Sequence, residues 1–296
     1  MRATLSAPTI VRTIAELHAR LDEYRRNTPN GKVGLVPTMG YLHEGHASLL
    51  RRSASENGFT VLSVFVNPLQ FGPTEDLDRY PRDEERDRAV AAEAGVDLIF
   101  MPSVAEMYPK RPLTSISLSG VTEPLCGASR PGHFDGVAIV VTKLFNLVRP
   151  DRAYFGLKDA QQLAVITQMT EDLNTPVEVV PCPIVREPSG LALSSRNVYL
   201  SPEEKEQALV LSRSLKQVPE WVKTGISAKE LSERLRQLIS KEPLADIEYA
   251  EVLEYPSLTI PQEENGVLSA SSRLLVALAV RFGKTRLIDN ILLPQA

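Results

Sequence analysis

Residues able to do chemistry fall into short strings. The densest is Pro37-Thr38-Met39-Gly40-Tyr41-Leu42-His43-Glu44-Gly45-His46, which holds two of the chain's four histidines three residues apart. Both imidazoles can therefore face one side. The string follows the apolar run 33–36 and precedes a helical pattern, so it lies where a strand turns into a helix. A helix start offers unpaired N–H groups and the positive end of the dipole, a natural phosphate site. Gly40 and Gly45 allow the backbone close to a ligand, and imidazole N–H groups can donate to charge developing on a phosphate. Two surface histidines beside a cap are the plainer alternative, but half of all the histidines in one glycine-bearing turn favours chemistry. Zinc needs three or four ligands, and no thiolate or third His lies nearby in sequence. The string is not His-Glu-x-x-His, so it does not read as a metalloprotease.

Three further strings share this context. In Tyr154-Phe155-Gly156-Leu157-Lys158-Asp159-Ala160-Gln161-Gln162 a short strand enters a Gly turn and a helix begins, with Lys158 as a point charge suited to phosphate. In Leu193-Ser194-Ser195-Arg196-Asn197 two hydroxyls and a guanidinium make a compact anion clamp, or equally a polar loop before the next helix. In Val66-Asn67-Pro68-Leu69-Gln70-Phe71-Gly72 the neutral amides of Asn67 and Gln70 follow a strand, and amides can bind a carboxylate while leaving it nucleophilic. The neighbouring acidic run 75–87 reads as a solvated face rather than a metal cage. Gly283-Lys284-Thr285 resembles the tail of a P-loop, but its first glycine would fall on Leu278.

The elements that must position these strings follow from periodicity. Helical spacing covers 13–28, 44–57, 83–94, 137–148 and 160–170, and short apolar strands cover 33–36, 60–66, 96–101, 153–155 and 177–180. Alternating strands and helices of this kind imply an α/β fold with a parallel sheet covered on both faces, where ligands bind beyond the carboxyl ends of the strands. The pattern then changes to helices at 201–216, with a Ser201–Glu204 capping box, and 227–240, followed by strands at 247–253 and 274–280. That fits a smaller C-terminal α+β domain, with the stretch around Pro181, Pro183 and Pro188 as hinge. The expected domains are 1–185 and 186–296.

The chain has 296 residues, 43% hydrophobic and 24% charged, with a net charge of -4 spread over both parts. This balance excludes a mostly disordered chain and gives no bulk attraction for nucleic acid. Two cysteines, Cys126 and Cys182, suggest a reducing compartment. Segment 1–10 has no apolar core of signal-peptide length, and the apolar run 274–280 is too short to span a bilayer. The expectation is a cytoplasmic protein with no membrane partner.

The strings PTMGYLHEGH, FVNPLQFGPTEDLDRYPRD, RPGHFDG, YFGLKDAQQ and LALSSRN, in that order and spacing, resemble the pantothenate synthetase family, the pantoate–β-alanine ligases, over nearly the whole chain. The resemblance implies a Rossmann-like N-terminal domain and a reaction in which ATP and pantoate give pantoyl-adenylate and pyrophosphate, after which β-alanine displaces AMP. It implies that Met39, Gly40, Tyr41, Leu42, His43, Glu44, Gly45 and His46 line the ATP site, with His46 as proton donor and His43 on a phosphate. Gly156, Leu157, Lys158 and Asp159 would bind the nucleotide, Lys158 on its phosphates. Val185, Leu193, Ser194, Ser195 and Arg196 would complete the site. Gln70 would contact pantoate and β-alanine, Gln162 pantoate, and Asn67, Tyr80, Arg130 and His133 would support them. The family further implies a homodimer and Mg2+, for which the sequence names no ligands. Leu157 stands where Gln is frequent and Leu193 where Met is frequent, changes that keep side-chain size. Two other readings of the same strings are a nucleotidyltransferase acting on a phosphorylated substrate and a non-catalytic nucleotide-binding module.

Overall fold

A computed structural model describes residues 7–73, 75–269 and 272–293. Most of the segment read for a leader, residues 1–6, lies outside them. The chain forms two compact units, one of Met1–Leu118, Arg130–Leu157 and Val165–Pro183, the other of Ser119–Ser129, Lys158–Ala164 and Ile184–Ala296.

The first unit is built on β1 (Thr9–Val11), β2 (Val33–Thr38), β3 (Phe59–Val64), β4 (Leu98–Phe100), β5 (Arg152–Gly156) and β6 (Glu178–Cys182). They form one sheet in the order β1-β4-β3-β2-β5-β6, parallel throughout. Its helices are α1 (Ile14–Asn27), α2 (Glu44–Glu56), α3 (Glu84–Glu93) and α4 (Val104–Met107) and, after α5 (Cys126–Ser129) of the second unit, α6 (His133–Val148). Helix α7 (Ala160–Asp172) starts in the second unit and ends in the first. Val36, Leu62, Ile99, Tyr154 and Val180 share one core cluster with Leu49 and Leu50 of α2, Ala91 of α3 and Ala94 at its end. The intervening Leu35, Val61, Leu98 and Ala153 are equally buried, so both faces of the sheet are covered. This is why the strands read as apolar runs rather than alternations.

The strand order reverses between β2 and β5, the switch point where open α/β sheets bind ligands. Here β2 stays paired with β3 through Thr38↔Val64, but its pairing with β5 stops at Leu35↔Ala153. Pro37, which has no N–H, lies in the part of β2 that β5 no longer follows. One expected boundary shifts and one strand appears that periodicity did not show. The α6 helix begins at His133, four residues before the apolar periodicity, with Gly132 in the left-handed region at φ 78° as its cap. The edge strand β1 is too short to be read from its three residues.

The second unit contains α8 (Pro202–Leu215), α9 (Val218–Lys223), α10 (Ala228–Ile239), β7 (Ala245–Glu254), β8 (Glu263–Glu264), β9 (Val267–Leu268), β10 (Leu274–Phe282) and β11 (Thr285–Leu292). Strands β11-β10-β7 make an antiparallel sheet with β10 in the centre. Helix α8 carries the Ser201–Glu204 capping box. Its apolar face, with that of α10, packs on Val276, Leu278 and Val280. Segment 119–129 meets the same sheet through Tyr249 and Arg286: the Cys126 thiol lies 3.2 Å from the Tyr249 hydroxyl, and Arg286 donates to Cys126 Sγ at 3.4 Å.

A register shift between Ala279 and Val280 leaves Glu248 of β7 without a partner across β10, and a bulge of this kind re-aims a side chain. Arg286 Nε and Nη2 both donate to it at 2.8 Å. Arg286's bonds outweigh the cost of burial and hold the Glu248 carboxyl down at about 2. A depressed acid contributes stability that is complete above its ordinary pKa of 4.5 and is lost as pH falls toward about 2. Glu248→Gln should therefore lower stability at pH 7 by about 1–3 kcal/mol. Chemical denaturation against pH should show the gap to wild type closing below the ordinary range. A gap that stays constant to the acid limit would contradict the pairing.

Candidate active site

The histidine turn is shaped by its exit from β2. Thr38 Oγ1 donates to the Ser63 carbonyl at 2.8 Å and accepts from the Gly40 N–H at 3.2 Å. Gly40 and Tyr41 follow with φ 84° and 51°, both left-handed, a conformation that only glycine adopts without strain. A Cβ at Gly40 would also press on Asp87 and Val64 at 2.9 Å. What holds Tyr41 there is Asp87 of α3. Its Oδ2 accepts from the Tyr41 N–H at 3.0 Å and its Oδ1 from the Leu42 N–H at 2.6 Å. Arg86 completes the clamp, with Nε donating to the Leu42 carbonyl at 3.0 Å and its guanidinium 4.6 Å from the centre of the Tyr41 ring.

Asp87 corrects the reading of 75–87 as a solvated face. It is 2% exposed, because it stands four residues before buried Ala91 on the inner side of α3. Burial pushes its carboxyl above the ordinary range, while the Leu42 and Tyr41 N–H bonds pull it back. Glu75 is not free in solvent either. Arg130 Nε and Nη2 grip it at 2.6 Å each. Burial pushes Glu75 up, but the bond and charge of Arg130 outweigh it and keep the carboxyl below its usual range.

His43 is the N-cap of α2 and Glu44 and Gly45 form its first turn. His43 Nδ1 accepts from the Gly45 N–H at 3.1 Å, and His46 Nδ1 accepts from the His43 N–H at 3.4 Å, a capping box built from two imidazoles. The rings stack with centroids 4.1 Å apart, so the spacing does bring both to one side. A ring nitrogen that accepts carries no proton, which leaves the proton of each neutral ring on Nε2. Both rings thus turn an Nε2–H donor away from the backbone they cap.

The amide pair lies against this turn. Gln70 Nε2 donates to Met39 Sδ at 3.3 Å, and its Oε1 accepts from Asn67 Nδ2 at 3.2 Å. Asn67 is 1% exposed and also takes bonds from the Tyr108 hydroxyl and gives one to the Gly136 carbonyl. Gly136 allows this approach: a Cβ there would stand 2.6 Å from the Gln70 nitrogen and overlap the Leu69 carbonyl. His133 Nε2 faces Arg130 Nη1 at 3.0 Å, so its Nδ1–H donates to the Gln70 carbonyl at 2.8 Å. Glu75, Arg130 and His133 therefore chain onto the backbone of Gln70. Tyr80 is buried beside Phe71. The first unit also carries Gly156 at the end of β5 and Leu157 after it.

The second unit holds the other string residues. Lys158 and Asp159 form a 3-10 turn ahead of α7, with Lys158 Nζ 3.9 Å from Asp159. Of the adjacent glutamines, Gln161 is used by the fold, accepting from the Cys126 N–H and donating to the Val121 and Pro124 carbonyls. Gln162 is half-buried. Val185 and Leu193 face each other across a hairpin, the Leu193 N–H donating to the Val185 carbonyl at 3.0 Å. Ser194 caps the 3-10 turn Ser195–Tyr199, accepting from the Arg196 N–H at 3.2 Å. Among the described residues no three His, Cys, Asp or Glu side chains converge. A Mg2+ ion accompanying a nucleotide would take most of its oxygen ligands from phosphates and water. No helix among the described residues is long and apolar enough to cross a membrane.

A Rossmann-like sheet with a His-x-Gly-His turn at its switch strand defines a nucleotide-binding α/β class. Comparison with known proteins narrows it. The pantoate-beta-alanine ligase family matches residues 9–292. A pantothenate synthetase of Acetivibrio thermocellus is 55% identical over 285 residues, 96% of this chain and 98% of the relative. The crystal structure of pantothenate synthetase from Thermus thermophilus superposes with a TM-score of 0.86 at 50% identity, over 95% of this chain and 98% of that one. The pantoate-beta-alanine ligase of Francisella tularensis, solved with beta-gamma ATP and beta-alanine, gives 0.76 at 34% identity, over 97% and 98%. The chain belongs to the pantoate–β-alanine ligase family and is an enzyme of that family.

Asp87→Ala leaves two amide donors of a strained turn without their acceptor, at a cost of about 1–3 kcal/mol each where they stay buried. Hydrogen exchange at Tyr41 and Leu42 should quicken by at least tenfold and kcat/KM should fall. Asp87→Asn, which keeps one acceptor oxygen, should lie between. Unchanged exchange in the alanine variant would remove Asp87 from this role.

Proposed function

We propose that this protein condenses pantoate with β-alanine at the expense of ATP, through a pantoyl-adenylate, releasing pyrophosphate and AMP. The observation that carries this reading is the imidazole capping box at the switch strand, joined through Met39 to the buried amide of Gln70. On this reading the imidazole donors serve the phosphates and the Gln70 amide serves the carboxylate. The known relatives support it, including the ligase solved with beta-gamma ATP and beta-alanine.

In the first step a pantoate carboxylate oxygen attacks the α-phosphorus of ATP. The new C–O–P bond forms as the bond to the pyrophosphate oxygen breaks, and pyrophosphate leaves with that electron pair. A neutral amide such as Gln70 can hold the carboxylate without quenching its charge, as an arginine would. Gln162 and Asn67 assist on the pantoate side. Nε2–H of His43 and His46 donate to phosphate oxygens, His46 as proton donor, and Lys158 neutralises the charge that grows on them. Met39 through His46, Gly156 through Asp159, Val185 and Leu193 through Arg196 bind the nucleotide. In the second step the free amine of β-alanine attacks the acyl carbon, the C–O bond breaks, AMP departs and the nitrogen loses its proton. Adenylation turns a poor leaving group into a good one, so no covalent enzyme intermediate is needed.

On this reading the residues through 185 bind nucleotide and pantoate, and 186–296 form a smaller domain that closes over ATP. The enzyme works as a cytoplasmic homodimer with Mg2+ accompanying the nucleotide; sedimentation gives its mass.

Isotope exchange tests the chemistry. Labelled pyrophosphate should enter ATP only when pantoate is present, and without β-alanine. Exchange that ignores pantoate, or needs a phosphorylated substrate instead, would favour a nucleotidyltransferase, and none at all would leave a binding module. His46→Ala and Lys158→Ala should each slow the exchange by about 10²–10³. A full-rate His46→Ala enzyme would refute its part.

A further inference from the structure

Two of the most deeply buried polar residues of the second unit are neighbours on β11. Asp289 is 2% exposed and Asn290 5%. Buried polar groups persist where they are bonded, and adjacent strand residues address opposite sides. Asn290 Nδ2 donates to the Lys158 carbonyl at 2.9 Å, across 132 residues of sequence. Asp289 accepts both Arg186 Nη1 at 2.6 Å and Nη2 at 2.8 Å. Arg186 Nη1 also donates to the Gly190 carbonyl at 3.2 Å, in a turn where Gly190 holds φ 101°. Arg186 bridges to Ala192 inside the hairpin that pairs Val185 with Leu193 and runs on to Ser194, Ser195 and Arg196. The Asn290 N–H donates to Asp289 Oδ1 at 2.8 Å, so the two anchors are tied together.

We propose that the Asp289–Asn290 pair of β11 positions both nucleotide-binding segments of this unit, Asn290 by fixing the Lys158 peptide and Asp289 by fixing the 185–193 hairpin through Arg186. This rests on the reading that those segments bind ATP. Neither residue touches the nucleotide. The pair stands opposite Leu278 and Ala277 of the central strand, so one rigid sheet sets the distance between an ammonium group and a hydroxyl–guanidinium clamp that are some thirty-five residues apart in sequence. Misplacing either by about 1 Å weakens electrostatic stabilisation severely.

The test is a double-mutant cycle on ATP binding by calorimetry, with the full chain and no pantoate. Asn290→Ala should weaken ATP binding about tenfold, the effect of one lost hydrogen bond that aims a charge, while the KM for pantoate stays within about twofold. In a Lys158→Ala background the same change should cost less than about twofold, because the group it aims is gone. Asp289→Asn should weaken binding in both backgrounds, since it acts through the other segment, and should lose its effect beside Ser195→Ala with Arg196→Ala. A general loss of structure would instead give equal losses in every background, and that outcome overturns the proposal, as does unchanged affinity in Asn290→Ala. If Asn290→Ala does not fold, Asn290→Ser serves in its place. Wild-type protein that binds no ATP would defeat the nucleotide reading and this inference together; normal wild-type binding with a silent Asn290 defeats the positioning role alone.

Discussion

The turn from β2 into α2 depends on one buried carboxylate. Asp87 receives the N–H groups of Tyr41 and Leu42, and without them the left-handed Tyr41 would relax toward the conformations that a side chain prefers. Once that turn is fixed, His43 arrives at the helix start in cap position and His46 one turn later, stacked on it. The capping bonds then fix which nitrogen of each ring bears the proton. A backbone constraint on the far side of the loop thus determines the hydrogen-bond donors that the loop presents.

The same logic recurs around Gln70. Its side chain is set by Asn67 and Met39, and its backbone by His133, Arg130 and Glu75. Gly136 lets α6 come close enough for the contact. An amide bonded at both ends does not rotate freely. The side-chain oxygen, side-chain nitrogen and carbonyl of Gln70 are all bonded within the first unit, which pre-organises it before any ligand binds.

Much of this was legible in the sequence because local rules wrote it. The His43–His46 spacing, the Ser201–Glu204 box and the apolar strands all follow from periodicity and capping, and each matches the fold. What escaped depends on pairs far apart in the chain. Asp87 looked like one more acid in an acidic run, and only its position four residues before Ala91, on the buried side of α3, marked it. Asp289 and Asn290 sit in β11, a strand whose mixed TRLIDNIL sequence hides it from an apolar-run search. Segment 119–129 belongs to the second unit although it lies within the first part of the sequence, because Cys126 meets Tyr249 and Arg286 more than a hundred residues on. No pattern within one window contains such a bond.

The capping box holds His43 and His46 with bare Nδ1 and protonated Nε2. Long-range proton–nitrogen correlation spectra of 15N-histidine-labelled enzyme, assigned with single His→Gln variants, read the tautomer directly. Near neutral pH, His43 and His46 should both show an Nε2–H and an unprotonated Nδ1, and Asp87→Ala should let the two forms mix. An Nδ1–H tautomer at either ring in the wild-type enzyme would contradict these capping bonds.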